Sequence, residues 1–288
     1  MTLAFKSAFM ISYALRETWK KDAWAMKRAL GFVGLISVGL VLTGCDYNRS
    51  KPTSQFPSEQ SFYVHDQSLM TSGTYPLSPF DKVVMSGPVT AAFKNNQAQD
   101  VIRVNGNPSS LNGLSVVQRG RIVYVSATAG HPVNIDVESQ AAQSQIPLNL
   151  VLSGNTHTKM EGNFLIQRID ASGNANLKLY WLNTSHLTVN ASGNAKLFLA
   201  GVVTHLDVTA SGNSEVNGKY LRVDESYVLA RDNAQVGVSV KKALGSQSVG
   251  NASIYYYRYP EFAGIYLGGS GSALNMKGIS GPSNNLLD

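Results

Sequence analysis

Between Pro147 and about Met276 a three-residue signal recurs: Ser153-Gly154-Asn155, Ser172-Gly173-Asn174, Ser192-Gly193-Asn194 and Ser211-Gly212-Asn213. Two looser copies follow, Arg231-Asp232-Asn233 and Val249-Gly250-Asn251, so the centres lie 19, 20, 19, 20 and 18 residues apart. A regular period near 20 marks a stacked-coil architecture and outranks any local propensity. Stepping outward from each centre by twos gives small or apolar columns. Two places after it stand Thr156, Ala175, Ala195, Ser214, Ala234 and Ala252; four before it stand Leu150, Ile169, Val189, Val208, Val228 and Ser246. The alternate positions are polar, as at Lys178, Lys196 and Glu215. That is period two, so each turn joins two half-buried strands.

A hairpin would satisfy each copy alone, but it leaves unexplained why every copy repeats the same column at the same offset. Stacking in register explains it: Leu lies on Leu and Ala on Ala, with backbones about 4.8 Å apart. The pattern predicts an all-β fold, a single-stranded right-handed parallel β-helix with coils of about 20 residues. Gly at the centre permits positive φ, and Asp232 tolerates it better than most residues. Asn155, Asn174, Asn194, Asn213, Asn233 and Asn251 are expected to form an amide ladder along the turn edge.

The run Ala191-Ser-Gly-Asn-Ala-Lys-Leu-Phe-Leu-Ala-Gly201 resembles the repeats of the putative auto-transporter-adhesin head GIN domain family. The resemblance runs from about Phe80 to Gly278. It implies a bacterial protein, often a lipoprotein, with a pectin-lyase-like β-helix that lacks the catalytic residues of the lyases.

Upstream, Met26-Lys27-Arg28 is a basic n-region, Ala29 to Val41 an apolar h-region, and Leu42-Thr43-Gly44-Cys45 closes it. This is signal-peptide anatomy, too short for a permanent membrane span. The ending resembles a bacterial lipobox. That resemblance makes 26–44 the signal peptide and Cys45 the lipidated first mature residue, the partner being the membrane. The alternative is an ordinary signal peptide with a chance Cys; with one Cys, no disulfide can form within the chain. Residues 1–25 precede the natural start at Met26 and read as a mis-assigned N-terminal extension. In enterobacterial lipoproteins an Asp after the Cys, as at Asp46, tends to retain the protein in the inner membrane. The expected location is the bacterial cell envelope, with a periplasmic or surface-exposed head.

Residues 45–79 are polar and irregular and read as a tether, about 30 Å long on average. Residues 80–278 form the head; its first stretch holds β-rich runs at Val83–Met85, Val89–Phe93, Val101–Val104, Ile122–Val125 and Asn134–Val137, read as atypical capping coils. By strand phase the last turn centres on Ser270, which points Leu274 and Met276 inward. Residues 279–288 read as a disordered tail.

The net charge of +6 is concentrated upstream. Past Cys45 the chain carries 18 basic and 16 acidic residues without a basic cluster, so nucleic acid is not a partner. His186 and His205 stand at the same offset, where the other coils carry Ile166 and Glu225; a solvated polar stack fits them better than a metal site, and no cofactor is implied. Asp170, Asp207, Glu215 and Asp232 fall in different columns, which opposes the paired carboxylates of a polysaccharide-cleaving enzyme. The expectation is a non-catalytic, lipid-anchored envelope protein for adhesion, or for binding an envelope protein or glycan. The alternative is a carbohydrate-processing enzyme or sugar-binding module on the same fold. Tyr180, Phe198, Tyr255 and Tyr257 project outward from one sheet and are the candidate binding residues; otherwise a terminal loop covers them.

Overall fold

The computed structural model describes residues 60–63, 72–95, 99–141 and 146–277. The segments read from the sequence as an N-terminal extension (1–25), a signal peptide (26–44) and a tail (279–288), together with the expected lipidation site Cys45, lie outside them.

The first strands carry runs that alternate apolar and polar. They are β1 (Gln60–Tyr63), β2 (Ser72–Leu77), β3 (Lys82–Ser86), β4 (Val89–Asn95) and β5 (Asp100–Asn105). A short helix α1 (Pro108–Asn112) follows, then β6 (Leu114–Arg119), β7 (Ile122–Ala127) and β8 (Val133–Ser139). The coils after it are built from β9 (Leu148–Ser153), β10 (His157–Glu161), β11 (Ile166–Ala171), β12 (Asn176–Ala191), β13 (Lys196–Ala210), β14 (Glu215–Ala230) and β15 (Gln235–Gly250). β16 (Ser253–Tyr256), β17 (Phe262–Gly269) and β18 (Ser272–Asn275) complete the stack.

The result is a parallel β-solenoid with a repeat of about 19 residues per turn. Residues before each turn form one sheet, called sheet A; residues after it form sheet B. Leu177 lies beside Leu197, Leu197 beside Val216, and Val216 beside Val236 in sheet B. Val189, Val208, Val228 and Ser246 stack likewise in sheet A. These inner columns are buried and meet in one core between the sheets. Each buried aliphatic side chain contributes about 1.5–3 kcal/mol. Among the described residues three inward hydroxyls, Thr156 Oγ1, Thr158 Oγ1 and Ser246 Oγ, are buried without a hydrogen-bond partner.

Chain order and coil order differ at the N-terminal end. β3 pairs in parallel with both β7 and β9, and β4 with both β8 and β10. The β7–β8 coil therefore lies below the β3–β4 coil that precedes it in sequence. The expected capping coils are thus regular coils, and the cap is antiparallel: β6 and β1 extend sheet A beyond β7, while β5 and β2 extend sheet B beyond β8.

Two expectations need correction here. The tether to residue 79 is too long, because β1 and β2 already belong to the cap. β2 is an edge strand with one face half-buried, so its period is weak and Pro76 is tolerated. Between β5 and β6, Asn107 caps α1: its Oδ1 accepts from the Ser110 N–H at 2.8 Å, and Pro108 occupies the first turn. The last turn centres on Gly269, which has φ +65° and stacks on Gly250, not on Ser270. The phase moves by one, so Ala273 pairs with inward Ile254 while Leu274 is exposed.

Candidate functional site

The turn edge is a continuous ladder. Asn174 Nδ2 donates to Asn155 Oδ1 at 2.8 Å. The same bond recurs from Asn194 at 3.0 Å, Asn213 at 3.3 Å, Asn233 at 3.0 Å and Asn251 at 3.3 Å. Gly154, Gly173, Gly193, Gly212 and Gly250 all have φ between +68° and +76°, and Asp232 has φ +63°. A Cβ on Gly193 would lie 3.1 Å from the backbone of Gly173, so the turns stack at the closest approach glycine permits. Every interior amide spends its carbonyl and one N–H on its neighbours. This edge holds coils together and has little left to offer a ligand.

On the outer face of sheet A, His186 and His205 are register partners, and His205 is followed by Glu225. Each imidazole faces a carboxylate of the next coil: His186 Nε2 lies 3.3 Å from Asp207 Oδ2, and His205 Nε2 3.7 Å from Glu225 Oε2. Among the described residues no three His, Cys, Asp or Glu are placed to hold a metal. The acids nearby serve as pair partners. Asp170 accepts from Arg168 Nε at 2.8 Å and from Asn190 Nδ2 at 2.6 Å. Burial pushes its carboxyl up, but those two bonds and the Arg168 charge outweigh it and hold it below the ordinary value. Asp224 pairs with Lys242 at 2.7 Å.

The outer face of sheet B is different. The Tyr180 and Phe198 rings lie 5.5 Å apart, and Phe198 and Tyr220 6.0 Å apart. Lys219 Nζ then sits 5.6 Å from the Tyr220 ring and 5.4 Å from the Tyr257 ring. Tyr257 packs over Gly237, where a Cβ would come within 3.2 Å of its ring, and Tyr255 is Gly237's register partner. Burial, with Tyr255, Glu215 and Tyr220 beside it, pushes the Tyr257 phenol up. The four aromatics read from the sequence thus share one face. Tyr220 and Lys219 bridge the gap between their pairs.

Lys219 stands seven residues after its turn centre, the same outward offset as Tyr180 and Tyr257, whereas Tyr220 does not stand at an outward offset by strict parity. A register shift between Phe198 and Ala200 changes parity there and turns Tyr220 outward. Trp181 was also hidden. It sits at the bend from sheet B to sheet A, where the register shifts between Leu179 and Leu182. Its φ is +65° and it is 73% exposed. A bulky residue held in the left-handed region with its indole in water is a strained, costly choice. Its only sequence signal is a break in alternation after Tyr180.

Beside Tyr180 the same face dips into an open depression of about 440 Å³. Thr90, Asn134, Asp136, His157, Lys159 and Lys178 line it. Short side chains at Thr90 and Ala92 leave the space between the longer ones.

Residues 79–260 match the family described as "Putative auto-transporter adhesin, head GIN domain". The chain belongs to this family. No curated protein matches it. Among solved structures, this head GIN domain is similar to a putative adhesin from Bacteroides fragilis NCTC 9343, with TM-score 0.62 and 14% identity over 71% of this chain and 95% of that one. A putative adhesin from Parabacteroides distasonis ATCC 8503 gives TM-score 0.53 and 13% identity over 71% and 96%. A putative lipid binding protein from the same strain gives TM-score 0.51 and 14% identity over 70% and 96%. At such identities the likeness is one of fold. The family match spans the coils that carry Tyr180 to Tyr257 and ends before β17. No helix among the described residues is long and apolar enough to cross a membrane.

Proposed function

We propose that this head GIN domain is a non-catalytic, lipid-anchored contact module of the bacterial cell envelope, and that it meets its partner through the outer face of sheet B. The observation that carries the reading is the stripe Tyr180–Phe198–Tyr220–Lys219–Tyr257. Rings fixed on a stacked sheet lose little entropy on contact and offer broad apolar area with polar tips. Membership of a family described as adhesin heads supports the same role. The polar depression beside Tyr180 suits a hydroxyl-rich glycan or a polar loop of an envelope protein.

Anchoring rests on the sequence Leu42-Thr43-Gly44-Cys45. Cys45→Ala is expected to release the protein from membranes, and globomycin to accumulate its precursor. Unchanged membrane association of that variant overturns the anchor. A glycan array read beside an adhesion assay is expected to show binding that depends on Tyr180 and Tyr220. Turnover of an acidic polysaccharide overturns the non-catalytic reading.

A further inference from the structure

The two ends of the solenoid differ. The N-terminal end is closed by antiparallel strands, with Leu111 of α1 buried in the core and Pro76 in the outermost strand of sheet B. At the other end sheet A stops at β17 and sheet B at β18. Among the described residues each pairs on one side only, with β15 and β16.

The inner positions of this last coil are uncovered. Ile265 and Leu267 lie beside Ser246 and Ser248, which in turn lie beside Val228 and Ala230. Val228 and Ala230 are 0% exposed, whereas Ile265 is 42% and Leu267 50% exposed. Of the 11 exposed large hydrophobic residues among those described, six belong to this end: Tyr259, Phe262, Ile265, Tyr266, Leu267 and Leu274. Neither free edge carries a charge, since β17 reads Phe-Ala-Gly-Ile-Tyr-Leu-Gly-Gly and β18 Ser-Ala-Leu-Asn. Edge strands are ordinarily blunted by Lys, Pro or a bulge, and a solenoid end by a polar cap. These edges are kept fit for pairing.

We infer that this end is an interface, and that its occupant is the same end of a second copy. A two-fold axis normal to the sheets sets β17 antiparallel to its own copy, and β18 likewise. Ile265 and Leu267 of the two copies then close a common core. The contact is isologous and stops at two. A head-to-tail contact would instead meet Pro76, which lacks the N–H a ladder needs. The chain after Lys277 is a poor substitute: Gly278-Ile-Ser-Gly-Pro-Ser-Asn-Asn-Leu-Leu-Asp288 has two Gly and a Pro and no alternating run to match the eight residues of β17. The size suffices. A strand of that length spans about 26 Å, and two sheets with their side chains about 20 Å. That covers about 500 Å² per copy, and the total reaches the ~1,000 Å² of a specific interface. The axis also places both aromatic stripes on one face, so two weak contacts act together. The pairing itself does not depend on what the stripe binds.

The test is the mass of the full chain in non-ionic detergent, by light scattering and sedimentation over a wide concentration range. The expected result is twice the chain mass. Ile265→Lys and Leu267→Lys are expected to give monomers with unchanged circular dichroism, because each places its charge at a surface the monomer leaves in water. As an independent reading, Tyr266→Cys in a Cys45→Ala background is expected to cross-link two copies under mild oxidation. A monomeric wild type, or a dimer that survives both lysines, overturns the inference. So does a monomer that dimerises only when residues 278–288 are removed, since the tail is then the occupant.

Discussion

Asp232 occupies the turn centre that glycine holds in the coils on either side, and its Oδ2 accepts a hydrogen bond from the Gly212 N–H at 3.0 Å. The left-handed backbone costs a non-glycine residue about 1–2 kcal/mol. A hydrogen bond to a charged acceptor returns about 1.5–3 kcal/mol. The two effects are of one size. Asp232→Ala keeps the strain and loses the bond, so it is expected to destabilise by about 2 kcal/mol in urea unfolding. Asp232→Gly loses both and is expected to stay within about 1 kcal/mol of wild type. An unchanged stability in Asp232→Ala would mean that the carboxylate contributes nothing, and equal losses in the two variants that the left-handed backbone there carries no strain.

Gly193 probes the ladder from the other side. Its φ is +68°, and the site where a Cβ would stand is 3.1 Å from Gly173 N and O. Gly193→Val adds left-handed strain and pushes on the backbone of the coil below. The expected cost is at least about 2 kcal/mol, with a clear fall in Tm. Lys196, three residues on, is exposed, and Lys196→Ala is expected to change stability by less than about 0.5 kcal/mol. Similar Tm values for both variants would show that the turn tolerates a side chain.

Thr158 offers the opposite sign. It stands in the core column between Ala91 and Leu177, 4% exposed, with its Oγ1 unpaired. Val keeps the shape and removes the buried hydroxyl. Thr158→Val is expected to raise stability by about 1 kcal/mol, read as a higher urea midpoint at unchanged slope. A lower midpoint would mean that the hydroxyl does find a partner.

The turn column was legible because Gly, Asn and the inner residues repeat at one offset over six coils, and only stacking rewards that. What it could not carry is coil order. Nothing in the spacing of Ile122–Ala127 says that this strand lies below Lys82–Ser86 rather than above Leu148–Ser153, because the three have the same alternation. The final turn was misplaced by one because Gly268-Gly-Ser-Gly has no phase of its own; Gly269 stacked on Gly250 supplies it. The face with the aromatics was legible for the same reason as the column. Tyr220 and Trp181 were not, since both follow register shifts that reverse parity, and a bulge leaves no residue-type mark here.

The stripe and the strain at Trp181 can be separated. Tyr220 is 60% exposed and Tyr180 half-buried, so Tyr180→Ala with Tyr220→Ala is expected to leave Tm nearly unchanged while adhesion falls by tenfold or more, the effect of about 1.4 kcal/mol. Tyr257 is a control of the other kind. It covers Gly237, so Tyr257→Ala is expected to cost stability as well as contact. Trp181→Gly decides between a structural and a functional role for the bend. A residue kept there for folding would be missed, and Tm would fall. A residue kept for contact leaves a backbone that glycine suits better. In that case Trp181→Gly raises stability by about 1 kcal/mol and weakens adhesion together. Higher stability with full adhesion would remove Trp181 from the contact face and leave the stripe to act alone.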